Sequence, residues 1–195
     1  MELVLATFNR GKARELSALL AAPGRRLRAL HEFPGATLPA ERGATLLENA
    51  RLKAEAALRF TGLPAIADDT GLEVDALGGA PGLRSARFAG EGAGDAQNVA
   101  LLLERMKRVP AGRRGARFRT VCVARFPNGA ELVGEGALEG LITGAPRGAG
   151  GFCYDPVFEV AGLGRTLAEL DEVTKNAISH RARAAHALVW ELPAG

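Results

Sequence analysis

Short apolar runs alternate with segments of helical periodicity along this 195-residue chain. The apolar run Leu3–Ala6 leads into a polar segment, Thr7–Gly11, and apolar positions then recur at helical spacing between residues 12 and 21. Short apolar runs predict buried strands, and apolar residues three and four positions apart predict amphipathic helices. Because the alternation includes one long hairpin at about residues 118–138, it predicts an α/β fold with a mixed sheet.

The rest of the chain is assigned by the same patterns and by turn and capping residues. Thr45 precedes a helical segment and is followed three residues later by Glu48, which is capping-box spacing. Asp95 is predicted to cap the next helix. The further predicted strands are 27–30, 63–67, 72–74, 118–126, 131–138 and 157–160, and the further helices are 45–60, one beginning at 95, and a region at 166–192 with a break near 171–175. One domain over residues 1–195 is expected.

Composition argues against several classes of protein. The formal charge is +3, and the densest basic cluster lies at residues 113–119, which is too mild a bias for a nucleic-acid-binding face. No apolar run approaches ~18 residues, so no membrane span is predicted, and the cytoplasm is the expected compartment. Cys122 and Cys153 are too few for a disulfide framework or a zinc site. Cys122, in an apolar strand, is expected to be a small buried hydrophobe.

Lysine is rare in this chain, and its positions are informative. Four of the 25 basic residues are lysines, and Lys12, Lys53 and Lys175 fall in polar, motif-like segments. An ammonium is a compact charge that suits a single phosphate oxygen. These lysines therefore suggest a phosphate-bearing ligand, and the alternative is random retention, as expected for Lys107 on a solvated helix face.

The segment Asp68-Asp69-Thr70-Gly71 follows the apolar run 63–67 directly. Two adjacent carboxylates at the end of a buried strand are costly unless a cation, most simply a divalent metal, meets them. On an extended backbone the two side chains diverge, so one can hold a metal while the other orients or deprotonates a water molecule. The alternative is a turn in which the aspartates cap backbone amides.

Three other segments carry candidate ligand contacts. The loop at residues 7–12 could hold phosphate through amides, a hydroxyl and an ammonium, or it could be an ordinary strand-to-helix turn. The loop at residues 150–155 could stack an aromatic ring on a base, or its aromatics could fill the core. His180 and Arg181 could donate hydrogen bonds to the ring oxygens of a base.

Taken in order, these segments resemble the inosine/xanthosine triphosphate pyrophosphatases, also called the HAM1-like family. The matching stretches are 5–12, 41–43, 48–50, 53–54, 64–71, 78–82, 85–87, 150–158 and 177–181. The resemblance implies a twisted mixed sheet flanked by helices, in two lobes with an active-site cleft between them. It also implies a homodimeric, Mg²⁺-dependent hydrolase, with Mn²⁺ as a possible substitute. Its expected reaction cuts ITP, dITP and XTP between the α- and β-phosphates and so clears them from the nucleotide pool.

The resemblance also implies roles for individual residues. Asp69 matches the general base, and Glu41, Asp68 and Asp69 match the metal carboxylates. Residues at three places match substrate-binding positions: Thr7, Phe8, Asn9, Arg10, Gly11 and Lys12 in the first loop; Lys53 and Thr70 for the triphosphate; and Phe152, Cys153, Tyr154, Asp155, Lys175, His180 and Arg181 for the base and sugar.

Three positions depart from the family pattern. Phe8 and Cys153 stand where many relatives have glycine, and Thr70 stands where serine is usual. Phe8 adds bulk near the expected phosphates. Cys153 lacks the easy access to positive φ that glycine has. None of these changes removes an expected catalytic group.

Three other functions remain open on the sequence alone. A related Maf-like pyrophosphatase would act on pyrimidine or modified nucleotides, although the C-terminal Ser179–Arg181 motif favours the first family. A non-catalytic nucleotide sensor would bind without turnover, which the retained acidic residues disfavour. A nucleic-acid-binding module would show an affinity that falls steeply with salt concentration.

Overall fold

The computed structural model describes residues 1–189, which form seven strands and five α-helices. The strands are β1 (Glu2–Leu5), β2 (Arg26–Ala29), β3 (Ala65–Val74), β4 (Pro81–Gly82), β5 (Gly115–Arg125), β6 (Glu131–Ile142) and β7 (Phe158–Val160). The helices are α1 (Arg10–Leu20), α2 (Leu46–Thr61), α3 (Asp95–Met106), α4 (Glu172–Ile178) and α5 (His180–Val189). None of the helices in this range is long and apolar enough to cross a membrane.

The strands form one mixed sheet in the order β2-β1-β3-β5-β6-β7, with β4 paired to β3. Strand β1 runs parallel to both β2 and β3, with Leu5 opposite Ala29 and Ile66. Strand β4 is antiparallel to β3, and β7 is antiparallel to β6. The predicted mixed α/β fold with flanking helices is therefore confirmed.

The chain divides into two compact units, each assembled from separate segments. The first unit contains residues 1–69, 120–136 and the chain from 179 onward, and the second contains 70–119 and 137–178. The boundary falls within three strands, β3, β5 and β6. Neither unit is therefore a contiguous stretch of sequence.

The first unit is hydrophobic on both faces of its strands. Leu3 and Leu5 face one cluster, which contains Leu16 of α1 and Leu188 of α5. Val4 and Ala6 face the opposite cluster, which contains the alanines of α2 at positions 50, 54 and 57. Because successive side chains of a strand point to opposite faces, β1 and the start of β3 each feed both clusters. The small α2 side chains let that helix lie close to the strands.

The second unit has a single core of its own. Its apolar side chains come from the end of β3, from α3, from β5 to β7 and from the loop at residues 154–157. The rings of Phe118 and Phe158 lie with their centroids 4.6 Å apart in a tilted arrangement, which aromatic pairs favour. On α3, an apolar stripe is buried at Val99, Leu102 and Met106.

The prediction of two separate strands at residues 63–67 and 72–74 was wrong, because β3 runs without interruption from Ala65 to Val74, which also excludes the alternative of a turn at the two aspartates. In the alternative interpretation of the segment as a turn, Gly71 was one of the turn residues. Instead, a Cβ at this position would lie 2.9 Å from the carbonyl oxygen of Gly82, so glycine allows β4 to approach. The two aspartates therefore lie within a strand and not after one.

Two helix boundaries also differ from the predictions. Gly94, not Asp95, is the N-cap of α3, and Asp95 is its first residue. In the C-terminal region, residues 170–171 separate a 3₁₀ turn at Leu167–Glu169 from α4, close to the predicted break, and a second break at Ser179 separates α4 from α5. The predicted continuation to residue 192 lies partly outside the described residues. Thr45 does cap α2, accepting a hydrogen bond from the Glu48 amide at 3.1 Å.

Candidate active site

The adjacent carboxylates of β3 point to opposite faces of the strand, as predicted from an extended backbone. Asp68 lies on the face of Ile66, which packs with α1 and α5, whereas Asp69 lies on the face of Ala67, which packs with α2. Both side chains are buried, with residue exposures of 2% and 5%. Each therefore needs its own set of partners within the first unit.

Asp68 is held by two cations. Lys12 Nζ lies 3.1 Å from Asp68 Oδ2, and Arg181 Nε donates to the same oxygen at 3.1 Å. Arg181 Nη1 also donates to Glu15 Oε2 at 2.5 Å, and Glu15 and Arg181 are both 2% exposed. Burial raises the pKa of Asp68, but the charges of Lys12, Arg181 and Lys53 outweigh it and lower that pKa well below its usual value. Asp68 is thus ionised at neutral pH.

Asp69 has a different environment on the α2 side. Lys53 Nζ donates to Asp69 Oδ1 at 3.0 Å and to Glu41 Oε1 at 2.7 Å. Asn49 Nδ2 donates to Asp69 Oδ2 at 3.2 Å, and Asn49 Oδ1 accepts from the Gly43 amide at 2.8 Å. Asn49 therefore ties the loop that carries Glu41 to the carboxylate of Asp69.

The pKa of Asp69 is shifted upward, opposite to that of Asp68. Burial raises it most, Lys53 and Lys12 lower it, and the Glu41 carboxylate raises it further. A carboxylate whose pKa is raised takes a proton more readily, which suits a general base. The two aspartates thus divide into a fixed anion and a candidate base.

The loop before α1 is largely occupied by its own hydrogen bonds. Asn9 Oδ1 accepts from the Lys12 amide at 3.0 Å as the N-cap of α1, and the Asn9 amide donates to Thr7 Oγ1 at 3.1 Å. Arg10 and Gly11 are the first residues of the helix, and the Phe8 side chain is exposed. The loop is thus a capped strand-to-helix turn, and its helix N-terminus lies next to Lys12, which binds Asp68.

The aromatic loop lies in the second unit and is organised by an ion pair. Lys175 Nζ donates to Asp155 Oδ2 at 2.6 Å and lies 4.8 Å from the centroid of the Phe152 ring. The same Asp155 oxygen accepts from the Phe152 amide at 2.8 Å. Lys175 and Asp155 are buried, whereas Phe152 is half-buried. The pair therefore fixes the backbone and one face of the candidate stacking ring.

Several other residues predicted to bind substrate lie in well-defined surroundings. The Tyr154 ring is fully buried in the core of the second unit, and burial raises the pKa of its hydroxyl. The Arg181 guanidinium is bound to Asp68 and Glu15, and His180 is buried at the start of α5. Thr70 follows Asp69 on β3 and is half-buried. The side chains of Tyr154 and Arg181 therefore lie among protein groups of their own units.

The two cysteines differ in character. Cys122 is fully buried and free, and burial raises the pKa of its thiol to about 12, so it is the inert buried hydrophobe that was predicted. Cys153 has a φ of 58°, the left-handed conformation that glycine adopts easily and other residues adopt only at a cost.

Replacing Cys153 by glycine should stabilise the protein. A non-glycine residue at positive φ costs about 1–2 kcal/mol, and the greater freedom of glycine in the unfolded chain offsets about 0.5–1 kcal/mol of that gain. We expect the free energy of unfolding of Cys153→Gly to rise by up to about 1 kcal/mol in urea titrations. The reverse change at a neighbouring site, Gly151→Ala, should destabilise, because its φ is 70° and an added Cβ would overlap Asp155. Equal stability of wild type and Cys153→Gly would contradict this.

Sequence reasoning missed two polar residues, Glu15 and Asn49. Glu15 follows Lys12 by three positions and adjoins the buried Leu16, so an acidic residue within an apolar helical stripe signalled a buried ion pair. Asn49 precedes Lys53 by four positions, which places both on one face of α2. In each case, a spacing of three or four positions from Lys12 or Lys53 placed the polar residue on the same helix face as a candidate phosphate-binding lysine.

The carboxylates of Glu41 and Asp69 are the acidic groups that could hold the expected Mg²⁺. Within residues 1–189, no three His, Cys, Asp or Glu side chains are gathered closely enough to hold a metal as they stand. However, the carboxylates of Glu41 and Asp69 converge on one cation, the Lys53 ammonium, and carboxylate oxygens are the ligands that Mg²⁺ prefers. The donor set on the α2 side therefore fits Mg²⁺, while Asp68 is turned to Lys12 and Arg181.

Comparison with known proteins shows the family of the chain. The Ham1 family model matches residues 3–191. The dITP/XTP pyrophosphatase of Desulforamulus reducens is 52% identical over 94% of this chain and 92% of its own length, and that of Geobacillus kaustophilus is 51% identical over 94% and 90%. A HAM1 protein structure from Coxiella burnetii superposes with a TM-score of 0.86 at 42% identity, covering 97% of each chain. On this similarity, which extends over nearly the whole length, the chain belongs to the Ham1 family.

Proposed function

We propose that this chain is a nucleoside triphosphate pyrophosphatase that hydrolyses the deaminated purine nucleotides ITP, dITP and XTP to the monophosphate and pyrophosphate. The observation that carries the proposal is the pair of buried aspartates on β3, one a fixed anion and the other a carboxylate with a raised pKa between Lys53 and Asn49. The names of the relatives, dITP/XTP pyrophosphatase, support the same reaction.

Within the first unit, each group has a chemical role in this reaction. Asp69 accepts a proton from the attacking water, because its burial raises its basicity. Lys12 and Lys53 neutralise phosphate oxygens so that water can approach phosphorus. Binding of the triphosphate draws these ammoniums away from Asp68, Glu41 and Asp69, which frees carboxylate oxygens at the moment that the substrate arrives.

Mg²⁺ is the expected cofactor, and Glu41, Asp68 and Asp69 are the residues that would hold it; Asp69 would then act as the base only through an oxygen that the ion leaves free. When bound, the ion would screen phosphate charge and act as a Lewis acid. Mn²⁺, which also takes oxygen ligands, would be an alternative.

In this proposal, the base contacts come from the aromatic loop and Lys175. Phe152 stacks on the purine, since one face of its ring is already fixed by Lys175. An ammonium only donates hydrogen bonds, so Lys175 favours the ring carbonyl at position 6 of hypoxanthine and xanthine over the amino group of adenine. A site built on such hydrogen bonds can discriminate by orders of magnitude, because the wrong base leaves buried groups unpaired.

The experiment that tests the proposal is pyrophosphate release from ITP, XTP, GTP, ATP and dTTP with Mg²⁺, repeated with EDTA. We expect kcat/KM for ITP and XTP to exceed that for ATP by at least about 100-fold, and EDTA to abolish turnover. A preference for dTTP would point to a pyrimidine-directed enzyme. Nucleotide binding without turnover on any substrate would point to a sensor.

Assembly and compartment belong to the same proposal. We propose a homodimer in the cytoplasm, where the nucleotide pool is found. Sedimentation equilibrium would give twice the 20.4 kDa chain mass for a dimer, and the chain mass itself would overturn it.

A further inference from the structure

Besides the Lys175–Asp155 pair, two hydrogen bonds within the second unit hold the part of the aromatic loop that follows Phe152. The Tyr154 hydroxyl donates to the backbone carbonyl of Ser85 at 2.8 Å, and the Cys153 amide donates to Asp95 Oδ2 at 2.8 Å. Cys153 and Tyr154 are the two residues that follow Phe152. We propose that Ser85 and Asp95 are positioning residues, which hold the loop in the conformation that Phe152 needs to recognise the base. The proposal rests on the function proposed above.

Ser85 is suited to be a fixed anchor. Its hydroxyl donates to the Gly82 carbonyl at 2.6 Å and accepts from the Leu72 amide of β3 at 2.9 Å, and the residue is buried. The carbonyl that Tyr154 meets is thus fastened to a strand only two residues beyond Thr70. Because the Tyr154 ring is itself fully buried, this hydrogen bond is shielded from water and directional.

Asp95 has a carboxylate that its own helix does not use. The cap of α3 is Gly94, whose amide donates to Gln97 Oε1 at 2.9 Å. The Asp95 carboxylate instead reaches 58 residues along the chain to the Cys153 amide, in a charge-assisted hydrogen bond. A residue that was predicted to be a helix cap therefore holds the loop.

The loop needs such anchors because its local sequence does not fix it. Gly150 and Gly151 precede the aromatic residue, and Cys153 is held at a φ of 58°, a conformation that costs about 1–3 kcal/mol unless the surroundings impose it. Without the Asp95 and Ser85 contacts, relaxation of Cys153 would turn the backbone on which the Phe152 ring is carried. The ring would then leave its place beside Lys175.

Two variants test the proposal, Asp95→Ala and Tyr154→Phe. Each removes one hydrogen bond, and we expect each to raise KM for ITP about tenfold with kcat changed less than about twofold, since a loss near 1.4 kcal/mol corresponds to tenfold. The inhibition constant of tripolyphosphate, which has no base, should stay unchanged. Asp95→Asn keeps an acceptor oxygen and should restore KM to near the wild-type value.

Thr143→Val is the matched control, because Thr143 Oγ1 is a buried hydroxyl that donates to the Ala145 carbonyl at 2.7 Å, elsewhere in the second unit. It should lower stability about as much as Tyr154→Phe but leave KM for ITP unchanged. Hydrogen exchange of peptides covering residues 150–154 should accelerate in Asp95→Ala and Tyr154→Phe and not in the control.

The failures can be told apart. Absence of ITP turnover by the wild type would overturn the proposed function. Wild-type turnover with unchanged KM and unchanged hydrogen exchange in both variants would overturn the positioning role alone. A parallel rise in the tripolyphosphate constant, or an equal rise of KM in Thr143→Val, would also overturn it, since the variants would then act by general loosening. If Asp95→Ala does not fold, Tyr154→Phe decides.

Discussion

Asp69→Asn should lower kcat for ITP by about 10²–10⁴-fold while the nucleotide still binds. Asparagine has the same shape and can still accept from Lys53 Nζ, which donates to Asp69 Oδ1 at 3.0 Å, but its amide does not take up a proton. The measurement is single-turnover pyrophosphate release together with the dissociation constant of ITP from calorimetry.

The control for this variant is Asp75→Asn, an aspartate in the second unit that pairs with Arg117 at 3.1 Å and is 59% exposed in its side chain. It should leave both kcat and the dissociation constant near wild type. Lost ITP binding in Asp69→Asn combined with normal turnover of weak substrates would contradict the assignment of Asp69 as the base.

Arg181→Met should lower the free energy of unfolding by about 3–5 kcal/mol, the usual result of removing one partner from a buried ion pair. Methionine fills much of the volume but leaves Glu15 and Asp68, each 2% exposed, without the guanidinium that both contact. Urea denaturation followed by circular dichroism measures the loss, and activity should fall with it because Asp68 is no longer fixed.

A double variant separates the lost charge balance from lost packing. Glu15→Leu removes the second carboxylate, so Glu15→Leu/Arg181→Met should lose less stability than the sum of the two single losses, by a coupling of about 1–3 kcal/mol. The i,i+4 pair of Arg59 and Glu55 is exposed on the arginine side at 78%, and Arg59→Met should change stability by less than about 1 kcal/mol. Equal losses for Arg181→Met and Arg59→Met would contradict the buried-pair argument.

The fold was predictable from the sequence where local patterns decide it. The opening strand and helix, the Thr45 cap and the hairpin at residues 126–131 depend on neighbours in sequence. The continuous β3 was not predictable, because aspartates shortly before a glycine, as in Asp68-Asp69-Thr70-Gly71, are typical of turns, and the strand persists through its pairing with β1, β4 and β5. Tertiary contacts overrode the local preference.

The candidate site was predictable as a set of residues but not as a set of contacts. The divergence of Asp68 and Asp69 followed from the backbone alone. The Arg181 contact with Asp68 spans 113 positions, and the Asp95 contact with Cys153 spans 58, so no local pattern contained either. The sequence analysis therefore expected Arg181 to contact the base, whereas in the structure its guanidinium donates hydrogen bonds to Asp68 and Glu15.

The placement of the two aspartates side by side on one strand makes their chemistry depend on chain length to the single residue. An insertion or deletion of one residue between Ile66 and Asp68 would exchange the faces, so that Asp68 would point to α2 and Asp69 would lose its place there. The loops that join the strands can change length without this effect. We therefore expect insertions and deletions among homologues to be tolerated throughout the loops and excluded from the segment at residues 65–69. In that segment, the position of an aspartate in the strand decides which face it lies on and therefore which role it has.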